Sequence, residues 1–247
     1  MSEAERKGVC LVIGAGDGLG AAIAAAFAAE GLAVVVTRRP RHADALEALA
    51  SDLRASGASA HAFPLDAREE SEIVGLVERI ERDIGPLEVV VFNIGANVRF
   101  GLTDTTERVY RKVWEMAALA GFLTVREAAR AMKPRGRGAI LVTGATASLR
   151  GASGFSAFAG AKHALRALAQ SAARELGPQG VHVAHVVIDG AVDGVFTRSM
   201  RANAAAMLAR GEILDPAEIA RNYVHLYRQG RSAWTFEMDL RPFSEPW

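Results

Sequence analysis

Short runs of β-branched and other apolar residues alternate along the chain with longer stretches in which apolar positions return at helical spacing. Residues 9–13, 33–37, 60–64, 89–92, 139–143, 181–187 and 233–238 read as strands. Helical stretches begin near Leu19, His42, Glu69, Thr106, Ser156 and Pro216, and the segments ending in Gly31, Gly57 and Gly85 carry glycine where a helix C-terminus often needs a left-handed residue. This alternation predicts an α/β fold in which right-handed crossovers build a doubly wound, mainly parallel seven-stranded sheet flanked by helices. A ligand crevice is then expected beyond the carboxyl ends of the strands. No repeat or flexible linker interrupts the pattern, so residues 1–247 form a single predicted domain. Residues 191–214 have a weaker pattern; they read as a mobile, partly helical segment over the crevice or, equally by length, as an ordinary surface excursion.

Composition narrows the function more than the fold. The 247 residues are 50% hydrophobic and 23% charged, enough to bury a sizeable core. A net charge of +1 supplies no basic field for nucleic acid, and no Lys/Arg block suggests a membrane surface. The single cysteine, Cys10, sits in the first strand and excludes an internal disulfide. Residues 1–7 lack a signal-peptide apolar stretch, and the longest apolar run, 21–29, is too short for a bilayer, so a cytoplasmic protein is expected. No metal is predicted.

The first chemical motif is Gly14-Ala-Gly16-Asp17-Gly18-Leu19-Gly20, directly between a strand and an alanine-rich helix. Glycine there permits a tight turn and close approach of backbone amides to a pyrophosphate, while the helix N-terminus adds partial positive charge. This predicts a dinucleotide-binding Rossmann domain. The second strand runs into Thr37-Arg38-Arg39-Pro-Arg41, without the carboxylate that would bind the two ribose hydroxyls of NAD. Guanidinium groups suit a ribose phosphate, so Arg38 and Arg39 favour NADP over NAD, although NAD remains possible and Asp17 would oppose an added phosphate.

Several further motifs, in order along nearly the whole chain, resemble the short-chain dehydrogenase/reductase family. The spacing of the glycine loop is similar to that family's pattern, Leu65-Asp66-Ala67 to its adenine-binding aspartate segment, and Asn93-Ile-Gly95-Ala96 to its Asn-Asn-Ala-Gly motif. By this resemblance Asp66, Asn93 and Gly95 line the adenosine half of the cofactor. Ile188-Asp-Gly190-Ala-Val192 stands where the family has a Pro-Gly segment that binds the nicotinamide amide, with Asp189 replacing the proline. Gly151 to Leu165 resembles the active-site helix.

The family's catalytic tetrad is Asn, Ser, Tyr and Lys. Alignment places Ala118, Ala145 and Phe158 at the first three positions and keeps Lys162. The resemblance therefore implies an atypical member: Lys162 retains a role toward the nicotinamide ribose, but phenylalanine has no proton to donate. Thr146, Ser148 and Ser153 are nearby hydroxyls out of register, while Tyr110 and His163 read better as ordinary surface or core residues. Asn97, Arg99, Ser153 and Phe155 are candidate pocket-lining positions.

Three functions follow from these readings. One is an NADP-preferring oxidoreductase that transfers hydride to a small organic substrate with a non-standard proton donor. Another is a reductase of an activated C=C or C=N bond, and the third is a catalytically inactive dinucleotide-binding regulatory module. Two remaining features are expected to be structural: the basic loop Lys133-Pro-Arg-Gly-Arg137 as a solvated turn on the sheet edge opposite the crevice, and the aromatic tail from Trp234 to Trp247 as a homodimer or homotetramer contact or as packing on its own core.

Overall fold

The computed structural model describes residues 8–245. Strands β1 (Val9–Ile13), β2 (Ala33–Arg38), β3 (Ala60–Pro64), β4 (Leu87–Phe92), β5 (Ala139–Thr143), β6 (His182–Ile188) and β7 (Glu237–Leu240) form one sheet in the order β3-β2-β1-β4-β5-β6-β7. Every neighbouring pair is parallel. Within β1, Val9, Leu11 and Ile13 join the core on one face while Cys10 and Val12 join the core on the other. Burial on both faces explains why inner strands such as β1 and β5 read as unbroken apolar runs rather than alternating ones.

The helices are α1 (Leu19–Ala29), α2 (Ala43–Ala55), α3 (Glu70–Arg79), α4 (Glu107–Trp114), α5 (Ala120–Met132), α6 (Ser156–Leu176), α7 (Val195–Met200), α8 (Ala204–Ala209) and α9 (Pro216–Arg228). Ile23 and Phe27 of α1, Leu46 of α2 and Tyr223 of α9 pack on one face of the sheet, whereas Ile73 of α3, Leu123 of α5 and Leu165 of α6 pack on the other. Phe27 is fully buried, so its truncation to alanine costs about 3–5 kcal/mol. Local chemistry sets the helix starts: the Val109 amide donates to Thr106 Oγ1 ahead of α4, and the Ala217 amide donates to Asp215 Oδ1 with Pro216 in the first turn of α9.

Several boundaries differ from the sequence reading. The helix expected near Thr106 starts there and passes through a π-helical stretch, Glu115–Leu119, into α5. The last strand is shifted to Glu237–Leu240, because its pairing runs from His185 to Ile188, while Trp234 stacks on the His182 ring at 4.8 Å. Gly31 and Gly57 have φ of +84° and +90°, as expected of helix ends. Gly85 is extended at φ 168° and does not play that part.

The basic loop is an exposed turn, as expected, at Lys133, Pro134 and Arg137, but two of its arginines are paired. Arg135 holds Glu81 through two hydrogen bonds of 2.7 and 3.0 Å and also donates to the Leu87 carbonyl, while Arg137 pairs with Glu88 at 2.5 Å. These contacts pin the entry of β5 to that of β4. In the aromatic tail, Trp234 and Phe236 pack on their own core, Phe243 is exposed, and Trp247 lies outside the described residues.

The site follows from strand order. From adjacent strands β1 and β4 the chain crosses over in opposite directions, and this divergence opens a crevice at their carboxyl ends.

Candidate active site

After Ile13 the chain turns at Gly14, whose φ is +93° and where a Cβ would lie 3.0 Å from the Asn93 backbone. The amides of Gly14 and Ala15 donate to the Thr37 carbonyl at 3.1 and 2.9 Å, and Asn93 Nδ2 donates to the Gly14 carbonyl at 3.2 Å. The loop is thus fastened to the ends of β2 and β4. At Gly20 a Cβ would fall 2.7 Å from Ala15 Cα, so only glycine lets α1 start against the loop. No side chain caps α1, which leaves its positive N-terminal dipole available to an anion.

A groove runs from Gly14 and Gly16 past Arg38, Arg39 and Asp66 to Asn93 and Gly95. Arg38 is 3.8 Å from Asp17, a loose pairing that leaves its hydrogen-bonding fork open. Partial burial, then the neighbouring Arg41 charge, draw the Arg39 pKa below its ordinary value, yet an arginine remains a cation. Asp66 accepts from Arg68 Nε at 2.9 Å and Nη2 at 2.5 Å, and that hydrogen bond holds its carboxyl below the usual range despite burial. Arg68 was not singled out in the sequence; it adds a third guanidinium to the groove. The only signal was its spacing of two from Asp66.

Asn93, Ile94 and Gly95 border both this groove and a second cavity of about 410 Å³. Lys162 enters the cavity from α6 and is 2% exposed. Its Nζ donates to the carbonyls of Thr143 and Ile94 at 2.9 and 3.1 Å, the ends of β5 and β4. Burial lowers its pKa to about 8. Of three ammonium N–H groups two are used, and the third has no acceptor among the described residues.

Phe158 lies one turn earlier on α6, also in the cavity wall, with its ring centroid 6.0 Å from Lys162 Nζ. Ala145 lines the same cavity from the end of β5. Ala118 is buried in the π-helical stretch and does not line it. Gly190 and Val192 border it from the far side; a Cβ on Gly190 would meet Pro242 Cδ at 2.7 Å. The Asp189 side chain, in place of the family's proline, accepts from the Thr146 hydroxyl and pairs with Arg241 at 3.1 Å.

The nearby hydroxyls offer no ready replacement for a tyrosine. Thr146 lines the cavity, but its hydroxyl is committed to Asp189. Ser148 is buried and accepts from the Ala145 amide at 3.1 Å, and Ser153 is exposed outside the cavity lining. Tyr110 also lies outside that lining, and His163 Nδ1 is bonded to its own helix at the Ala159 carbonyl. Asn97 and Phe155 do line the cavity, whereas Arg99 lies outside it and stacks over Phe155 at 5.8 Å. Ala96, the fourth residue of the Asn93 motif, has φ +69°, a conformation that costs a non-glycine residue about 1–3 kcal/mol and is typical of functional sites.

Residues 191–214 contain α7 and α8 and are tied at their base, where the Leu214 amide donates to Ala191 and the Asp193 amide to Leu214. The segment borders a cleft with Asp17, Gly18 and Leu19, which the exposed Phe196 and Met200 also line.

A family model for short chain dehydrogenase matches residues 8–205. The chain belongs to the short-chain dehydrogenase/reductase family. A member from Hericium erinaceus is 34% identical over 180 residues, 71% of each chain. The crystal structure of a short-chain dehydrogenase from Rhodopseudomonas palustris is 47% identical, with a TM-score of 0.83 over 96% of this chain and 100% of the other. An actinorhodin polyketide ketoreductase with NADPH, 24% identical with a TM-score of 0.86 over 96% of each chain, shares the fold. Among the described residues of this short-chain dehydrogenase/reductase, no helix is long and apolar enough to cross a membrane.

Proposed function

We propose that this short-chain dehydrogenase/reductase is an NADP-preferring oxidoreductase that reduces a small organic substrate without the family's usual tyrosine. The carrying observation is the continuity of a guanidinium-rich groove with a largely apolar cavity at Asn93–Gly95, where Lys162 of the cavity donates to the Ile94 carbonyl. The residues fit the dinucleotide: Gly14 and Gly20 tolerate no side chain, and the uncapped start of α1 faces the same crevice. When bound, the reduced dinucleotide supplies a hydride.

The chain's own residues do the rest. Backbone amides of residues 14–20 bind the pyrophosphate, and Arg38 and Arg39 select the extra phosphate. Lys162 holds its spare proton toward the cofactor ribose and the cavity, while Phe158 fills the tyrosine position with a group that excludes water and donates nothing. Ala145 and Ala118 complete a degenerate tetrad. An uncommitted hydroxyl is absent among the described cavity residues, which favours substrates whose product anion is delocalised, such as conjugated C=C or C=N compounds, over plain ketones. The 191–214 segment closes over this side of the crevice.

Fluorescence titration with NADPH and NADH, followed by a carbonyl, enone and imine panel, tests the proposal. NADPH is expected to bind more tightly, and enones or imines to turn over faster than ketones. Tight NADPH binding without turnover of any class would instead favour the inactive regulatory module, and tighter NADH binding would overturn the arginine assignment.

A further inference from the structure

One cavity cation has no part in the scheme above. Arg150 follows the tight turn Thr146–Ser148 beyond β5, and its backbone amide donates to the Thr146 carbonyl at 3.1 Å. Its side chain lines the cavity and is 51% exposed. The guanidinium makes no hydrogen bond to a described residue; Asp189 is its acidic neighbour, with Nη2 to Oδ1 at 3.6 Å, beyond hydrogen-bonding range. Asp189 is already engaged by the Thr146 hydroxyl and by Arg241 at 3.1 Å. It therefore steers the Arg150 side chain without consuming its five N–H donors.

The cavity that Arg150 lines is otherwise bordered largely by apolar residues, Phe155, Phe158, Ala147 and Ile188 among them, together with Lys162. A planar fork beside apolar walls matches an acid with a hydrocarbon body: two parallel N–H···O bonds fix the carboxylate, and the rings take up the remainder.

We propose that Arg150 anchors a substrate carboxylate and that the cavity accepts small monocarboxylic acids with an apolar or aromatic body. This rests on the reading of the cavity as the substrate side of the site. It also answers a need created by Ala145 and Phe158. With no hydroxyl at either position to hold the reacting group, orientation has to come from elsewhere on the substrate, and a bidentate anchor at the rim supplies it. A single guanidinium favours a monoanion over a phosphate ester, whose second charge would call for further donors.

The test is calorimetric titration of the NADPH-loaded protein with benzoylformate, its methyl ester and phenyl phosphate. The acid is expected to bind about tenfold more tightly than the ester or better, and Arg150→Gln to remove that preference. Ester and NADPH affinities should change by less than about twofold, since the side chain lies outside the dinucleotide groove. Arg150→Lys, which keeps the charge but not the fork, should recover only part of the preference. Equal binding of acid and ester, a preference that survives Arg150→Gln, or no binding of the acid at millimolar concentration would overturn the proposal. Tighter binding of phenyl phosphate would overturn the choice of carboxylate. Failure to bind NADPH would sink the dinucleotide reading separately, because the same acid and ester comparison can be made on the protein alone.

Discussion

The groove and the cavity meet at three residues yet are built from opposite materials. The groove offers backbone amides, three guanidinium groups and a helix N-terminus. The cavity offers aromatic and aliphatic walls, one buried ammonium and one arginine at its rim. Binding a dinucleotide calls for the first set, whereas acid catalysis calls for a free hydroxyl, and those of Thr143 and Thr146 in the second set are already bonded to Tyr223 and Asp189. On the proposed reading the two functions are separable: recognition of the cofactor would lie in turns and strand ends, while proton chemistry would depend on a few side chains.

The sharpest attack on this contrast is to restore the missing hydroxyls. Phe158→Tyr with Ala145→Ser should raise ketone reduction by about 100-fold or more per restored group, measured as NADPH consumption, with NADPH affinity nearly unchanged. If ketone reduction does not rise, the cavity lacks more than those two groups. Next in size is the converse experiment on the groove. Gly20→Val places a side chain against Ala15, and NADPH affinity should fall by about 100-fold or more; circular dichroism would show whether the fold survives. Unchanged affinity would contradict the placement of the pyrophosphate.

Replacing Arg38 and Arg39 together by alanine should weaken NADPH by about 10- to 100-fold while leaving NADH within a few-fold, as loss of hydrogen bonds to a charged group requires. Equal losses for both dinucleotides would show that the arginines serve the fold and not the phosphate. A smaller effect concerns pH. Lys162 has a pKa lowered to about 8 by burial, so any binding or turnover that needs its charge should decline as pH rises through about 8. Lys162→Arg should remove that inflection; an unchanged profile would exclude Lys162 as its source.

Away from the site, His185 is fully buried and donates through Nδ1 to the Glu237 carboxylate at 3.0 Å. Burial, opposed by Glu237, lowers its pKa to about 4. The unfolded chain then binds the additional proton between about pH 6.5 and pH 4, and stability falls with pH across that window by up to about 3 kcal/mol. Urea midpoints at pH 7 and pH 5 should differ less in His185→Leu than in the native protein. Equal differences would mean that other groups govern the acid limb.

The legible parts of the molecule were those encoded by neighbours in sequence. Residues 9–13 and 139–143 appeared as strands because burial on both faces leaves an unbroken apolar run, and the structure has them at those bounds, as it does the partly exposed edge strand 60–64. α1, α6 and α9 begin at Leu19, Ser156 and Pro216, as local signals indicated. The seventh strand was misplaced because its register is decided by pairing with β6, and Gly85 because a glycine's position does not reveal its φ. Arg135 and Arg137 looked like solvent-facing charges; their partners, Glu81 and Glu88, lie about 50 residues away, a distance no local pattern spans.

The sequence by itself determined the alternation of strands and helices, the glycine loop, the arginines after β2 and the identities of Phe158, Ala145, Ala118 and Lys162, since each of these is written in consecutive or regularly spaced residues. Tertiary structure alone decided that groove and cavity share Asn93–Gly95, that Arg68 occupies Asp66, and that Arg150 faces the cavity while Thr146 is committed to Asp189. Those relations join side chains from separate crossovers, and they exist only once parallel pairing has brought the strand ends to one edge of the sheet.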